Sequence, residues 1–149
     1  MTSAPPPDHA LRRLATEVVA RTTAVVGLAG VALIHLLDVQ SKFAETPYMG
    51  WMYLGLMAAC LLTAGAMLTA HVREAWLATL VLPASAAAGF ILTRTVGLPQ
   101  ATGDIGNWME PLGLASLFVE GSLVVLAAFA LSSLAPAPAR HAVARLATA

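Results

Sequence analysis

The sequence predicts an all-α membrane protein: a transmembrane four-helix up-down bundle with both termini cytoplasmic. Three observations predict it. Of 149 residues, 58% are hydrophobic and 11% charged, where a soluble domain carries about 25% charged residues. The apolar residues gather in four long runs separated by short polar stretches. The cations are unevenly shared between the two ends of those runs. Arg12, Arg13, Arg21, Arg73, Arg140 and Arg145 fall at one end and only Lys42 and Arg94 at the other, which puts the first end in the cytoplasm.

In chain order, residues 1–9 (MTSAPPPDH) are expected to be non-helical because of their consecutive prolines. Residues 10–20 are basic and amphipathic and feed into the first span. That run carries His35 and Asp38 and has no small-x-small cleavage site, so it reads as an uncleaved span and not a signal peptide. The first span is expected over Thr22–Val39, followed by a loop over Gln40–Met49. The second covers Gly50–Ala70, with Tyr48, Trp51 and Tyr53 clustered at its start as interfacial aromatics are.

A tight turn, His71–Glu74, leads to the third span, Ala75–Thr93. Pro83 lies inside it and removes a helical hydrogen bond, so a kink is expected. A long Gly-rich connection, Arg94–Glu110, precedes the fourth span, Pro111–Leu134. As a helix that span would rise about 36 Å, enough for a hydrocarbon core of about 30 Å. The domain reading is a cytoplasmic lead over 1–20, a four-helix transmembrane domain over 21–134 and a flexible cytoplasmic tail over 135–149.

Lipid tails give helices no hydrophobic reason to associate, so small residues at helical spacing mark contact faces. Gly55, Ala59, Thr63, Ala66 and Ala70 form such a stripe on the second span. Ser85 and Gly89 do so on the third, and Gly113, Ser116 and Glu120 on the fourth. On the first, Gly27, Val31, His35 and Asp38 share a face. The ionisable residues of the spans therefore point into the bundle.

Glu120 is the residue with the fewest structural excuses. It is the one charge in its span and falls near the middle of the membrane, where an ionisable group faces a partner, a cavity or a pathway. His35 and Asp38 are three residues apart, so the carboxylate is placed to orient or charge the imidazole. Arg94, Glu110 and Asp104 share the outer end with them. Each has a plainer reading as well: Arg94 pairing with Glu110 or reaching the headgroups, Asp104 turning its loop, Glu110 favouring a helix dipole. His35 divides evenly between a structural hydrogen bond and ligation or proton transfer.

The lone Cys60 sits in an apolar run and reads as a core residue, which excludes an intrachain disulfide and a cysteine zinc site. Met49, Met52 and Met109 near the outer boundary leave a Cu(I) reading open, since thioethers suit that ion. A metal held by His35, Glu110 and Glu120 is the other metal candidate. No cofactor is named by the sequence. No basic block or aromatic-basic interleaving suits nucleic acid, so that class is dropped.

Two segments, HLLDVQSKFAETPYMGWMYL (His35–Leu54) and TRTVGLPQATGDIGNWMEPLGLASLFVEG (Thr93–Gly121), resemble small four-span membrane proteins of high-GC actinobacteria. The resemblance covers roughly 21–134. It rests on a first-span His, a T-R-T-x-G-L-P stretch (Thr93–Pro99), and acids at Glu110 and Glu120. It implies a four-span fold and membrane location, and no activity.

The leading functional expectation is a non-enzymatic protein that binds or moves a small ligand, ion or proton, in transport or sensing. Its site is a polar cluster in the outer half of the bundle: His35, Asp38, Arg94, Glu110 and Glu120. Second is a structural or accessory subunit joining a homo-oligomer or larger membrane complex through its Gly/Ala faces. An intramembrane metal enzyme ranks last, because no catalytic spacing such as H-E-x-x-H appears.

Overall fold

A chain immersed in lipid must satisfy its own peptide groups, and a helix does so within a single segment. The computed structural model describes residues 7–69 and 71–134. Four helices hold most of them: α1 (Pro7–Glu45), α2 (Pro47–Ala66), α3 (Val72–Thr95) and α4 (Pro111–Leu134). All four are long and apolar enough to cross a membrane. Among the described residues no strand forms, and the only β pairing is an isolated Leu98–Ala101 bridge. The expected tail over 135–149, with Arg140 and Arg145, lies outside the described residues, as do residues 1–6 and Ala70.

Several boundaries differ from expectation, among them those of α3, which runs Val72–Thr95 where a turn over His71–Glu74 and a span over Ala75–Thr93 are expected. The expected non-helical lead reached residue 9, but α1 begins at Pro7. A proline is harmless at the first helical position, where the N–H has no intrahelical partner, and Asp8 in the first turn suits the helix dipole. The expected loop Gln40–Met49 is almost all helix. Nothing before Thr46 breaks the pattern, and Lys42 pairs with Glu45 one turn on at 3.1 Å. Only Thr46 separates α1 from α2, with φ −149° and ψ 88°. Pro47 sets that break, because a residue before proline is driven out of the α region while the proline itself starts the next helix. Finally, α2 ends at Ala66, and Thr63, Gly65 and Ala66 carbonyls accept from Met67, Leu68 and Thr69 in a tightening last turn. α4 has the expected bounds.

Consecutive helices run antiparallel. The Arg21 guanidinium near the start of the bundle donates to Met67 O at the end of α2 (3.4 Å). Gly27 and Gly30 of α1 lie against Leu123 and Val119 of α4 in reversed order. α1 packs most extensively with α2, and α3 with α4; α1 and α4 join the two pairs, α2 and α3 touch less, and α1 and α3 least. The core is thin, built on Ala24, Leu28, Val31, Cys60, Leu123 and Ala127. Phe118, Val125, Phe129 and Leu62 point outward, more than half exposed, as side chains against lipid do. α1, with 39 residues, is about 58 Å long, so its first turns, carrying exposed Leu11, Leu14 and Val18, overhang the bundle.

Which glycines allow close approach also differs from expectation. A Cβ on Gly27 would lie 2.7 Å from Leu123 Cδ2, and one on Gly113 would strike the Phe90 ring. Gly55 and Gly89, expected on contact faces, have nothing within 4 Å. Substitution to alanine separates the two kinds by sign. Gly55→Ala gains helix propensity and is expected to raise stability by up to about 1 kcal/mol. Gly27→Ala forces the buried Leu123 aside and is expected to cost about 1–3 kcal/mol. Unfolding in detergent micelles by heat or SDS reads both changes.

Candidate functional site

The four helices enclose a cavity of about 400 Å³ at the end of the bundle where the long connection lies. Its floor is Glu120, nine residues into α4 and hence about 14 Å below Pro111. Glu120 is 1% exposed. One turn earlier on the same face, Ser116 Oγ donates to Glu120 Oε1 at 2.6 Å. Oε2 has no hydrogen-bond partner. A buried carboxyl oxygen left alone costs roughly 1–3 kcal/mol or more, so its orphaned state is a feature to be explained.

Across from it stands His35, 8% exposed. Its Nδ1 lies 2.9 Å from Val31 O. A carbonyl can only accept, so Nδ1 carries a proton and donates. That frees Nε2, which points toward Glu120 Oε1 at 4.0 Å, too far for a direct hydrogen bond. The Tyr53 ring stands edge-on to the imidazole, with centroids 4.6 Å apart at 73°. His35 is thus fixed by its own helix and by an aromatic wall, with one nitrogen left facing the carboxyl.

Asp38 does not orient His35, contrary to the spacing argument. Helical side chains lean toward the N-terminus, so the imidazole reaches back to Val31 and away from Asp38. Asp38 is held by Ser41 Oγ, which donates to Oδ1, and by Tyr53 OH, which donates to Oδ2 at 3.4 Å. It lines the cavity higher up.

Arg94 closes the other end. It is 6% exposed, and every nitrogen of its guanidinium has a partner. Nε donates to Asn107 O (2.8 Å), Nη1 to Thr93 Oγ1 (3.0 Å) and Nη2 to Glu110 Oε2 (2.6 Å). Nη1 also pairs with Asp104 Oδ2 at 3.1 Å, and the charge lies over the Phe90 ring, 4.6 Å from its centroid. Lys42 reaches the same Asp104 oxygen at 3.5 Å. Burying such a cation is tolerable only because paired charges and hydrogen bonds surround it.

The connection over 96–110 folds down to supply these partners. Gly97 and Gly106 take positive φ (76° and 81°), and Gly106 N–H donates to Arg94 O at 2.9 Å. Leu98–Ala101 form a turn with Pro99 second and Gln100 third at φ 63°, a place usually held by glycine or asparagine. Two side chains of the α1–α2 junction tie it down: Thr46 Oγ1 to Gln100 O (3.2 Å) and Tyr48 OH to Pro99 O (2.8 Å).

The structure therefore brings His35 and Glu120 together and places Asp38, Arg94 and Glu110 around the same cavity. Glu110 is committed to Arg94, so His35, Glu110 and Glu120 do not converge. Among the described residues no three His, Cys, Asp or Glu side chains come together as a metal site needs. Met109 is 80% exposed. Asp104 both turns the loop, accepting from Asn107 N–H at 3.0 Å, and pairs with Arg94. Sequence reasoning missed Ser116 and Tyr53 as site residues. The signal for Ser116 was its place four residues before Glu120; for Tyr53 it was its helical depth beside His35.

No protein-family model, curated protein or solved structure matches the chain. The geometry alone carries the functional argument.

Two substitutions distinguish the floor from the closure. Glu120→Leu removes an unpartnered buried oxygen and is expected to leave the fold intact and raise stability by about 1–3 kcal/mol. Arg94→Ala strands Glu110 and is expected to lower it by about 3–5 kcal/mol. Arg94→Lys should recover less than half, because a point charge cannot meet four acceptors in one plane. Chemical or thermal unfolding in micelles measures all three.

Proposed function

We propose that this is a non-enzymatic membrane protein that binds a small organic molecule carrying a hydroxyl group, held by Glu120 and His35. One observation carries the reading. Glu120 is buried in the wall of a 400 Å³ cavity with one carboxyl oxygen, Oε2, unpartnered, and His35 Nε2 stands 4.0 Å from the other. That volume is within the range of small-molecule sites, which are mostly apolar with a few convergent polar groups.

The hydroxyl follows from counting protons. Let the pair hold one exchangeable proton between Nε2 and the carboxyl. If it is on His35, a hydroxyl accepts from Nε2–H and donates to Glu120. If it is on Glu120, the hydroxyl accepts from the acid and donates to Nε2. A group that is both donor and acceptor fits either arrangement, whereas an ammonium, donor only, finds no acceptor at a protonated Nε2 and fits at most the second. Ser116 and Val31 fix the two protein groups, Tyr53 walls the site, and the Arg94 cluster keeps bulk water from the outer end. The excess of arginine at the other end puts this cavity on the non-cytoplasmic side, with both termini in the cytoplasm. Binding of this kind serves transport or sensing.

A second reading, assembly with another chain, draws on the α1 overhang with its exposed Leu11, Leu14 and Val18. It does not account for Glu120.

The test is mass spectrometry of a solvent extract of detergent-purified protein, with metal content and an optical spectrum, for wild type beside Glu120→Gln. The expected result is one hydroxyl-bearing organic molecule near one per chain, falling at least tenfold in the variant. Near-stoichiometric metal, or a wild type and variant that extract identically, overturns the reading.

A further inference from the structure

The outer end of the cavity is covered by an ion-pair cluster, and its α2–α3 side is lined by small residues. At its outer end Arg94, Asp104, Glu110 and Lys42 lie in one ion-pair cluster, and the connection above them is tied to Thr46 and Tyr48. Between α2 and α3, Gly55 and Ser85 line the cavity and are exposed. A Cβ added to Gly55, or to Gly89 one turn from Ser85, would meet nothing within 4 Å. Ser85 Oγ is turned back onto Leu82 O at 2.7 Å, which leaves the gap itself without a free polar group.

The depth of this gap is telling. Gly55 is eight residues into α2 and Ser85 ten residues before the end of α3, hence about 12 and 15 Å below the helix ends. Glu120 is about 14 Å below the start of α4 by the same measure. The opening and the orphaned carboxyl oxygen are at one level, and that level is inside the hydrocarbon core. Behind the opening the walls are Ile34, Leu56, Leu82, Ala86 and Phe90.

We infer that the ligand is a membrane-partitioned alcohol or phenol, which enters sideways from the bilayer through the α2–α3 seam. Its hydroxyl bridges His35 and Glu120, and its apolar body fills the cavity and continues out through the seam into lipid. The inference rests on the hydroxyl-binding reading and adds the substrate class and the route. A water-soluble ligand would have to part the buried Arg94 cluster to arrive; an amphiphile passes only small and apolar side chains.

The experiment is photolabelling in phospholipid nanodiscs with dodecanol carrying a diazirine on its chain, and with the methyl ether of the same probe. Adducts are mapped by mass spectrometry. Lipid-facing Leu62 and Val125 report contact with probe dissolved in the bilayer; Leu56, Leu82 and Ala86 report occupancy of the cavity. The expected result is cavity labelling by the alcohol at least tenfold above the ether, with equal labelling of the lipid face. Gly55→Leu combined with Ser85→Leu should abolish the cavity adducts while keeping those at Leu62, and Gly89→Leu should do so alone. Glu120→Gln should reduce them with the seam left open.

Cavity labelling that persists in the blocked variants, yet falls in Glu120→Gln, overturns the lateral route and leaves the hydroxyl site standing. Wild-type labelling confined to the lipid face overturns the lipophilic class, and the solvent extract of native protein then decides the site reading separately. Equal labelling by alcohol and ether overturns the class and the hydroxyl site together.

Discussion

The buried guanidinium of Arg94 is the interaction on which the outer half of this bundle depends. It gathers partners from α3, from the connection over 96–110 and from the residue before α4, and Asp104 extends the cluster to Lys42 of α1. Three helices are thereby fixed at one end without apolar side chains filling the space between them. The bundle can then remain hollow below. Close packing resumes only deeper, around Leu28, Val31, Cys60 and Leu123. A cluster of this kind is weak support for stability by itself, since desolvation offsets much of the attraction. Its effect here is geometric: it holds a roof over a cavity.

Under that roof the polar groups are unequally satisfied. All three nitrogens of the Arg94 guanidinium have partners, whereas the lower pair has a gap of 4.0 Å and an oxygen with no partner. In a low-dielectric interior an unmet group of this sort is costly. Natural structures keep such costs mainly where function requires them. Ser116 and Val31 also show that the pair is pre-set, since one holds the Glu120 carboxyl through Oε1 and the other holds the imidazole through Nδ1. The arrangement is that of two fixed groups awaiting a third between them.

Much of this was legible in the sequence, and the reasons for the failures are physical. Hydropathy and chain length gave four spans, and α4 had the bounds its apolar run implied. The depth of His35 and Glu120 followed from counting residues along helices. Four points were not legible. A helix does not stop where polarity begins, so Gln40–Glu45 stayed helical until Pro47 ended it. A spacing of three residues puts Asp38 and His35 on one face, but side-chain direction sends the imidazole to Val31. Tyr53 reads as an interfacial aromatic until the depth of His35 is set beside it. Lastly, a stripe of small residues looks the same whether a neighbouring helix approaches it or a cavity lies over it. Gly27 is the first case; Gly55 and Gly89 are the second.

The most direct test of the central claim is a high-resolution structure of the protein in native-lipid nanodiscs, read at one place. The account predicts non-protein density between His35 and Glu120, with an atom about 2.6–3.2 Å from both Nε2 and the Glu120 carboxyl. It also predicts that this density runs toward the gap beside Gly55 and Ser85. A cavity collapsed so that His35 and Glu120 bond to each other directly, or Glu120 Oε2 turned onto a protein donor with the gap closed, would contradict it.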